Sequence, residues 1–194
     1  MNNLSAVAPP MSWNKIESIA LQLQRVYAPQ VLATPQPFPI VDLLRFDLEP
    51  LTGAVCRVED LDSSREAVTI YDQRYDRLEI VLSEETDAAL DRGYGRAFMT
   101  GAHECGHVFL HHQQVKAAGG RLPPPPGLFR TKDKIPPYQN PERQAEVFAG
   151  RLLIPAAALR LAIQQYGLDV HRLADTFQVS YSAIGVRLRE IGVA

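Results

Sequence analysis

Apolar positions along the chain follow first a helical, then an alternating and then again a helical spacing. The helical spacing over residues 13–27 predicts an amphipathic helix, preceded by a flexible tail over residues 1–12. A short apolar helix is predicted over residues 40–46, because Pro39 suits a first helical turn. Pro50 is expected to end that unit.

Three short runs in the next part of the chain alternate apolar with polar residues and therefore predict β-strands. They cover residues 54–58, 67–71 and 78–82, and clusters of Asp, Ser and Arg bound them. We expect these runs to form a small, mostly antiparallel sheet.

Helical spacing returns after the last of these runs. A short helix is predicted over residues 84–92 and a long one over residues 95–118, with Gly119 and Gly120 as its stop signal. Residues 121–138 contain six prolines and cannot be helix interior, so they form either a solvated connector or a lid over a cleft. Four more helices are predicted at residues 140–154, 155–166, 170–177 and 180–190.

The composition fits a folded protein of moderate size and sets limits on its partners. A chain of 194 residues with 46% hydrophobic and 22% charged residues can bury a sizeable core. Twenty basic against 22 acidic residues give a net charge of −2, so no obligatory nucleic-acid partner is indicated. The chain has two cysteines and no apolar N-terminal run typical of a signal peptide or membrane span, so we expect a cytoplasmic address and no membrane partner.

Two histidines on the predicted helix 95–118 indicate a catalytic metal. His103 and His107 are four residues apart, so on a helix they share a face and both rings can bind one zinc ion. Glu104, next to the first histidine, can then reach a water molecule at that ion. A catalytic zinc takes three protein ligands, so a third ligand must come from elsewhere.

The third ligand has two candidates on the next helix. A metzincin would carry glycine and a third histidine beyond the second, but positions 110 and 113 are leucine and glutamine, which excludes that class. Glu142 and Glu146 are four residues apart, which puts both carboxylates on one face of the helix predicted over residues 140–154. From the residues alone, either carboxylate could bind the metal.

The same two segments resemble a known family. Residues 102–107, Ala-His-Glu-Cys-Gly-His, followed by His111, are similar to the Ala-His-Glu-Leu-Gly-His…His stretch of the ImmA/IrrE metallopeptidases, with Cys105 in place of the usual leucine. Residues 142–155 look like that family's Glu-x-x-Ala-Asn-x-Phe-Ala-x-x-Leu-Leu-Met-Pro segment. The resemblance extends over residues 78–192.

The resemblance implies a fold, a ligand set and an activity. The fold would be a zincin-like minimal metalloprotease of class α+β, with a small sheet and a metal-binding helix pair in a catalytic domain over residues 13–155. Residues 156–194 would form a helical, helix-turn-helix-like extension. The implied activity is zinc-dependent hydrolysis of peptide bonds in a specific protein substrate, a transcriptional repressor of the helix-turn-helix type. Glu104 would be the general base, and the Zn²⁺ ligands would be His103, His107 and Glu142.

Other residues around the motif have roles that the sequence leaves open. Glu146 stands where the family usually has Asn or Asp, and its carboxylate could accept the free ring N–H of a ligand histidine. His111 lies one turn beyond His107 on a similar face, so it either supports the metal site from outside the ligand set, as Glu146 could, or is a structural residue, which we favour. Cys105 is expected to be a core thiol, and Gly106 to allow close approach of another segment. The donor to the developing oxyanion is open among Tyr94, His111, His112, Tyr138 and His171.

The last two predicted helices form a candidate nucleic-acid-binding element. Residues 173–189 resemble a helix-turn-helix, with Val179 and Ser180 at the turn. From residue 155 onward the chain has four arginines and three acidic residues, and this small excess of positive charge is a weak electrostatic signal for DNA binding. We therefore favour packing or substrate docking for this element, and the alternative function is a DNA-binding regulator with a structural or sensory zinc site. No pattern in the sequence indicates an oligomeric state.

Overall fold

The sheet at the centre of the molecule has three strands. The computed structural model describes residues 7–62, 65–117 and 135–193 of the chain. Its strands follow the order β1-β3-β2, and helices precede and follow them along the chain, so the predicted α+β class is confirmed. The strands are β1 (Val55–Glu59), β2 (Ala67–Asp72) and β3 (Arg77–Ser83).

The sheet is mixed, so the prediction of a mostly antiparallel sheet is wrong for one of its two strand pairs. β2 and β3 form an antiparallel pair with Thr69 opposite Ile80, whereas β1 runs parallel to β3. The β2–β3 hairpin folds back so that β3 lies between the other two strands. Alternation of apolar residues indicates the length and the buried face of a strand but not its neighbours, and for that reason the order could not be predicted.

A broken helical segment leads into the sheet. The helices before the sheet are α1 (Trp13–Tyr27), α2 (Gln30–Ala33), α3 (Ile40–Asp42) and α4 (Leu48–Thr52), with a π-helical turn at Leu43–Asp47. Pro50 lies inside α4, so the prediction that it ends this unit is wrong. It occupies the first turn, where a backbone N–H has no partner within the helix and its loss costs little. Gly53 ends the helix instead, with a φ of 74° that glycine adopts without strain.

The helices after the sheet begin within one residue of their predicted positions. They are α5 (Glu84–Asp91), α6 (Gly95–Ala117), α7 (Pro141–Leu153), α8 (Ala156–Tyr166), α9 (Val170–Phe177) and α10 (Tyr181–Glu190). Asn140 caps α7, because its side-chain oxygen accepts the backbone N–H groups of Glu142 and Arg143. The predicted stop signal at Gly119 and Gly120 lies outside the described residues.

Helix α6 is the central element of the fold. It packs against α7, α5 and the strands β2 and β3. One face of α6 buries Phe98, Ala102, Cys105 and Val108 in the core. Burial raises the pKa of the Cys105 thiol, which has no exposed surface, so the predicted core thiol is confirmed.

Across the three described ranges, every helix is too short or too polar to cross a bilayer.

Gly106 brings α6 and α7 into direct backbone contact. A Cβ added at this position would lie 2.9 Å from Cα and 3.2 Å from the carbonyl oxygen of Ala145. Neither atom can give way unless α7 moves as a whole. The close approach that was predicted from this glycine is therefore confirmed, and it places Glu142, one turn before Ala145, beside the histidines of α6.

We expect Gly106→Ala to destabilise the protein by about 1–3 kcal/mol, although alanine alone favours a helix by about 1 kcal/mol over glycine. The overlap with the Ala145 backbone outweighs that gain. Gly150→Ala in α7 is the matched control, because an added Cβ there meets nothing within 4 Å and should stabilise the helix. Urea unfolding in the presence of a chelator measures both effects without a contribution from bound metal. Equal stability of the two variants would contradict the close contact.

The segment before α1 is bound to the turn before α7. The Ala8 N–H donates to the carbonyl of Gln139 at 2.8 Å, and the Met11 N–H donates to that of Tyr138 at 2.9 Å. Both bonds fall within the segment predicted as a flexible tail over residues 1–12 and attach its described part to that turn. Residues 1–6 lie outside the described ranges.

The C-terminal helix pair packs on the start of α6 and on the end of α7. A Cβ added at Gly95 would lie 2.8 Å from Cα of Val179, in the turn between α9 and α10. The guanidinium of Arg187, which is buried, donates to the carbonyl of Ile154 at 3.0 Å and to Glu17 at 2.6 Å. Arg187 is thus engaged inside the protein and cannot reach a DNA phosphate, which weakens the DNA-binding alternative.

Candidate metal centre

The histidine pair of α6 and the first turn of α7 converge on one point. His103 Nε2 lies 3.1 Å from His107 Nε2 and 3.2 Å from Glu142 Oε2, and His107 Nε2 lies 3.6 Å from Glu142 Oε1. Both rings come from one face of α6 because they are one turn apart. The carboxylate reaches them because Asn140 fixes the first turn of α7 and Gly106 lets the two helices touch.

The three side chains fit a zinc ion in both chemistry and spacing. Ligand atoms about 2.05 Å from a common centre at tetrahedral angles lie about 3.3 Å from each other, and the observed separations are 3.1, 3.2 and 3.6 Å. Two imidazole nitrogens and a carboxylate oxygen are a known ligand set of catalytic zinc, which keeps a fourth position for water. Within the described ranges, no other three His, Cys, Asp or Glu side chains bring their ligand atoms within 4.8 Å of each other.

The charges around this centre favour a cation. Hydrogen bonds with His103 and His107 hold the pKa of the Glu142 carboxyl well below its ordinary value. Burial lowers the pKa of His103, but the hydrogen bond with Glu142 and the charge of Glu104 outweigh burial and raise it. The centre therefore takes up either protons or a metal ion, and acid should weaken metal binding by competition.

Glu104 lies beside His103 on α6, and a residue of β2 holds its carboxylate. Thr69 on β2 donates its hydroxyl to Glu104 Oε2 at 2.6 Å, and both residues are buried. Sequence analysis missed Thr69, although a hydroxyl in the middle of an apolar strand was a signal for a polar partner beneath the sheet.

A cleft of about 480 Å³ opens beside His103 and Glu104. A larger cleft, of about 910 Å³, continues from it along the start of α6 and reaches Ser180 in the turn before α10. Arg65, Glu66 and Arg96 line both clefts, so the two adjoin at these side chains, and we refer to them together as the groove.

Glu146 lies on the cleft wall but does not bind a ligand histidine. Its carboxylate accepts a hydrogen bond from Arg143 at 2.6 Å, and its side chain is 58% exposed. The sequence allowed Glu142 and Glu146 equally as the third ligand, and the structure places Glu142 at the histidines. The suggested contact between Glu146 and the ring N–H of a ligand histidine is absent from the part of the chain that the structure describes.

His111 is enclosed behind His107. Its Nδ1 lies 3.0 Å from His107 Nδ1, and its Nε2 lies 2.8 Å from Gln144 Oε1. Burial and the neighbouring His107 lower the pKa of His111 to about 4, so the ring is neutral at neutral pH. Both ring nitrogens have partners in the interior, and His111 has no exposed surface with which to act as an oxyanion donor in the cleft.

Two other residues considered as oxyanion donors have different contacts. His171 packs edge to face against Tyr181, with 4.3 Å between ring centroids, in the C-terminal helix pair. The ring of Tyr94 stacks under the guanidinium of Arg92. The lid suggested for residues 121–138 lies outside the described residues, except for its last four positions.

Comparison with known proteins connects this geometry with a family. A family model described as the IrrE N-terminal-like domain, Peptidase_M78, matches residues 53–189. The matched range contains the sheet, the whole candidate metal centre and the C-terminal helices as far as Arg189. A search of curated proteins gives no match to the chain.

Proposed function

The chain belongs to the Peptidase_M78 family of metallopeptidases, and we propose that it is a zinc-dependent endopeptidase. The observation that carries this proposal is the convergence of His103, His107 and Glu142 next to the carboxylate of Glu104. Zinc is the ion we propose because two imidazoles and one carboxylate form the ligand set. The test is zinc content together with peptide cleavage by the same purified protein.

Each residue around the centre has a separate task in the proposed reaction. A zinc ion, when bound, polarises the scissile carbonyl and makes a water molecule more acidic. Glu104 accepts the proton of the attacking water and passes it to the leaving amine. Thr69 donates its hydroxyl hydrogen bond to Oε2 of Glu104, which leaves Oε1 for the proton transfer.

The surroundings of the centre suit an extended peptide. In the described sheet, β2 pairs with β3 alone, so the other edge of β2 can pair with the backbone of a peptide. Ala67, the first residue of β2, lines the cleft together with His103 of α6, so the start of this strand borders the candidate metal centre. We propose that the substrate lies along β2 in the groove beside His103.

The hydroxyl of Thr69 should be important for catalysis if it orients Glu104. We expect Thr69→Val to lower kcat about 10- to 100-fold with little change in KM, because a hydrogen bond to a charged group contributes about 1.5–3 kcal/mol. Thr69→Ser retains the hydroxyl and should retain most of the activity. Steady-state cleavage kinetics, with zinc measured in each variant, will separate the two. Wild-type kcat in the Val variant would show that Glu104 needs no such donor.

We propose a helix-turn-helix repressor as the substrate. Support comes from the resemblance of residues 102–111 and 142–155 to the ImmA/IrrE metallopeptidases, which implies such a target. The turn before α10 also lines the larger cleft through Val179 and Ser180, where it can contact a protein that enters the groove.

The substrate can be tested with the repressors encoded beside the gene. We expect the zinc-loaded protein to cut one of them at a single bond, as identified by mass spectrometry of the products, and to leave unrelated folded proteins intact. If it cuts an unfolded general substrate such as casein but none of these repressors, the peptidase assignment stands and the substrate proposal fails.

A further inference from the structure

We propose that Gln144 and His111 are positioning residues that fix His107 in the tautomer that presents Nε2 to the metal. The inference rests on the metal site of the proposed function, but it does not depend on peptide cleavage. It follows from a chain of hydrogen bonds that joins His107 through both residues to the backbone carbonyls of Pro9 and Tyr138.

The amide of Gln144 can adopt only one orientation. Its Nε2 lies 3.0 Å from the carbonyl oxygen of Pro9 and 2.7 Å from that of Tyr138. Carbonyl oxygens only accept hydrogen bonds, so the amide nitrogen, which has two N–H donors, must face them. The reversed amide would place three oxygens together at a residue with no exposed surface, where no solvent can compensate. Gln144 Oε1 therefore faces His111.

The orientation of Gln144 determines which nitrogen of His111 carries the proton. Oε1 of Gln144 can only accept, so the nitrogen 2.8 Å away, His111 Nε2, must donate. A neutral imidazole has one N–H, which leaves Nδ1 of His111 as an acceptor. The ring has no exposed surface, so His107 is the partner that Nδ1 of His111 faces in the interior.

His111 in turn determines the tautomer of His107. The two Nδ1 atoms are 3.0 Å apart, and since that of His111 accepts, that of His107 must donate. The other ring nitrogen, His107 Nε2, faces His103 Nε2 and the Glu142 carboxylate. A neutral His107 therefore has its lone pair on the nitrogen that faces the other ligands, as a metal ligand requires.

The hydrogen-bond chain from His107 through His111 and Gln144, called the relay below, ends at backbone carbonyls. The fold itself therefore fixes the tautomer of His107. Pro9 and Tyr138 lie in two segments that are bound to each other, because the Met11 N–H donates to the same Tyr138 carbonyl. A hydroxyl or a second amide at that end could rotate and reverse the polarity of the chain, whereas two carbonyls cannot. The segment before α1 thereby contributes to the orientation of a metal ligand.

Packing alone does not account for these side chains. Apolar residues at positions 111 and 144 would fill the same interior without the desolvation cost of an imidazole and an amide. A buried polar chain is stable only when each of its donors and acceptors has a partner, and in this relay each one has. The two polar side chains present a hydrogen-bond acceptor to Nδ1 of His107, which two apolar residues could not do.

Nitrogen-15 NMR of the imidazole rings tests the relay directly. In long-range proton–nitrogen spectra of the metal-free protein at neutral pH, we expect His111 to carry its proton on Nε2 and to have an unprotonated Nδ1. In the zinc-loaded protein, His107 should carry its proton on Nδ1. A His111 ring protonated at Nδ1, or at both nitrogens, would overturn the proposal whether or not zinc binds.

Zinc affinity of matched variants gives a second readout. Competition with a chelator should show that His111→Leu weakens zinc binding about 10- to 100-fold. His111→Gln can accept from His107 and donate to Gln144, so it should recover most of the affinity. His112→Leu is the control, because it removes the adjacent imidazole of α6 without touching the relay. Circular dichroism of the metal-free variants, at the assay temperature, ensures that folded proteins are compared.

The outcomes separate the relay from the proposed function. Wild-type affinity in His111→Leu, or an equal loss in His112→Leu, would refute the relay while the zinc site remained. A wild-type protein that binds no zinc would refute the proposed function, and the tautomer of His111 in the metal-free protein would still decide the relay.

Discussion

Glu142→Ala should leave the purified protein almost without zinc. Glu142 is the proposed third ligand, and its oxygens lie 3.2 Å and 3.6 Å from the ring nitrogens of His103 and His107. Without it, the centre consists of two imidazoles on a single helix and lacks the three ligands that a catalytic zinc needs. We expect the zinc dissociation constant to rise about 1,000-fold or more, beyond the 10- to 100-fold effect of residues outside the ligand set.

Glu146→Ala is the matched control for this experiment. Glu146 lies four residues later on α7, but its carboxylate is exposed and pairs with Arg143. Its removal should leave the zinc dissociation constant within a few-fold of wild type, as measured by competition with a chelator of known affinity. If Glu146→Ala loses the metal and Glu142→Ala keeps it, the third ligand is assigned to the wrong carboxylate.

Glu104→Gln should retain zinc and lose nearly all peptide cleavage. Glutamine has the size of glutamate, and its carbonyl oxygen can still accept the hydrogen bond that Thr69 donates. An amide cannot take a proton from water at neutral pH, however, so the general base is lost. We expect kcat to fall about 10²- to 10⁴-fold, the usual contribution of acid–base catalysis.

The control for the general base is another carboxylate of the same cleft. Glu66 lines the cleft beside Glu104, pairs with Arg96 and accepts a hydrogen bond from Thr100. Glu66→Gln should preserve zinc content and most of kcat, because this carboxylate is not adjacent to His103 or His107, and any effect of its place in the groove should fall on KM. Cleavage at the wild-type rate by zinc-loaded Glu104→Gln would mean that a different group takes the proton.

The helices and the approach of the two histidines to each other could be predicted because local chemistry determines them. The bounds of α1 and α9 agree with the predicted residues, since a helical period repeated over two or more turns is a strong signal. The spacing of His103 and His107 is equally local, because one turn of helix defines the distance between them. The cap at Asn140 likewise predicted where α7 begins.

The remaining features depend on contacts between residues that are distant in sequence. Nothing in the pattern of β1 indicates that β3 is its neighbour, because the order of strands depends on where the β2–β3 hairpin packs. Thr69 and Gln144 became visible only when a strand and a second helix were placed against α6. The choice between Glu142 and Glu146 also required the rotation of α7 about its axis, which the spacing of two carboxylates on one face leaves open.

The contact between Glu17 and Arg187 joins residues 170 positions apart in the chain. During translation, α1 therefore leaves the ribosome before Arg187 has been synthesised, which is one of two arginines that pair with Glu17 and also donates to the carbonyl of Ile154. Gln24 of α1 already donates to the carbonyls of Arg151 and Leu152 at the end of α7, and Arg187 adds a contact to Ile154 just beyond it. A polypeptide truncated before α10 lacks the Arg187 contact, and we expect it to hold α7, and with it Glu142, less firmly.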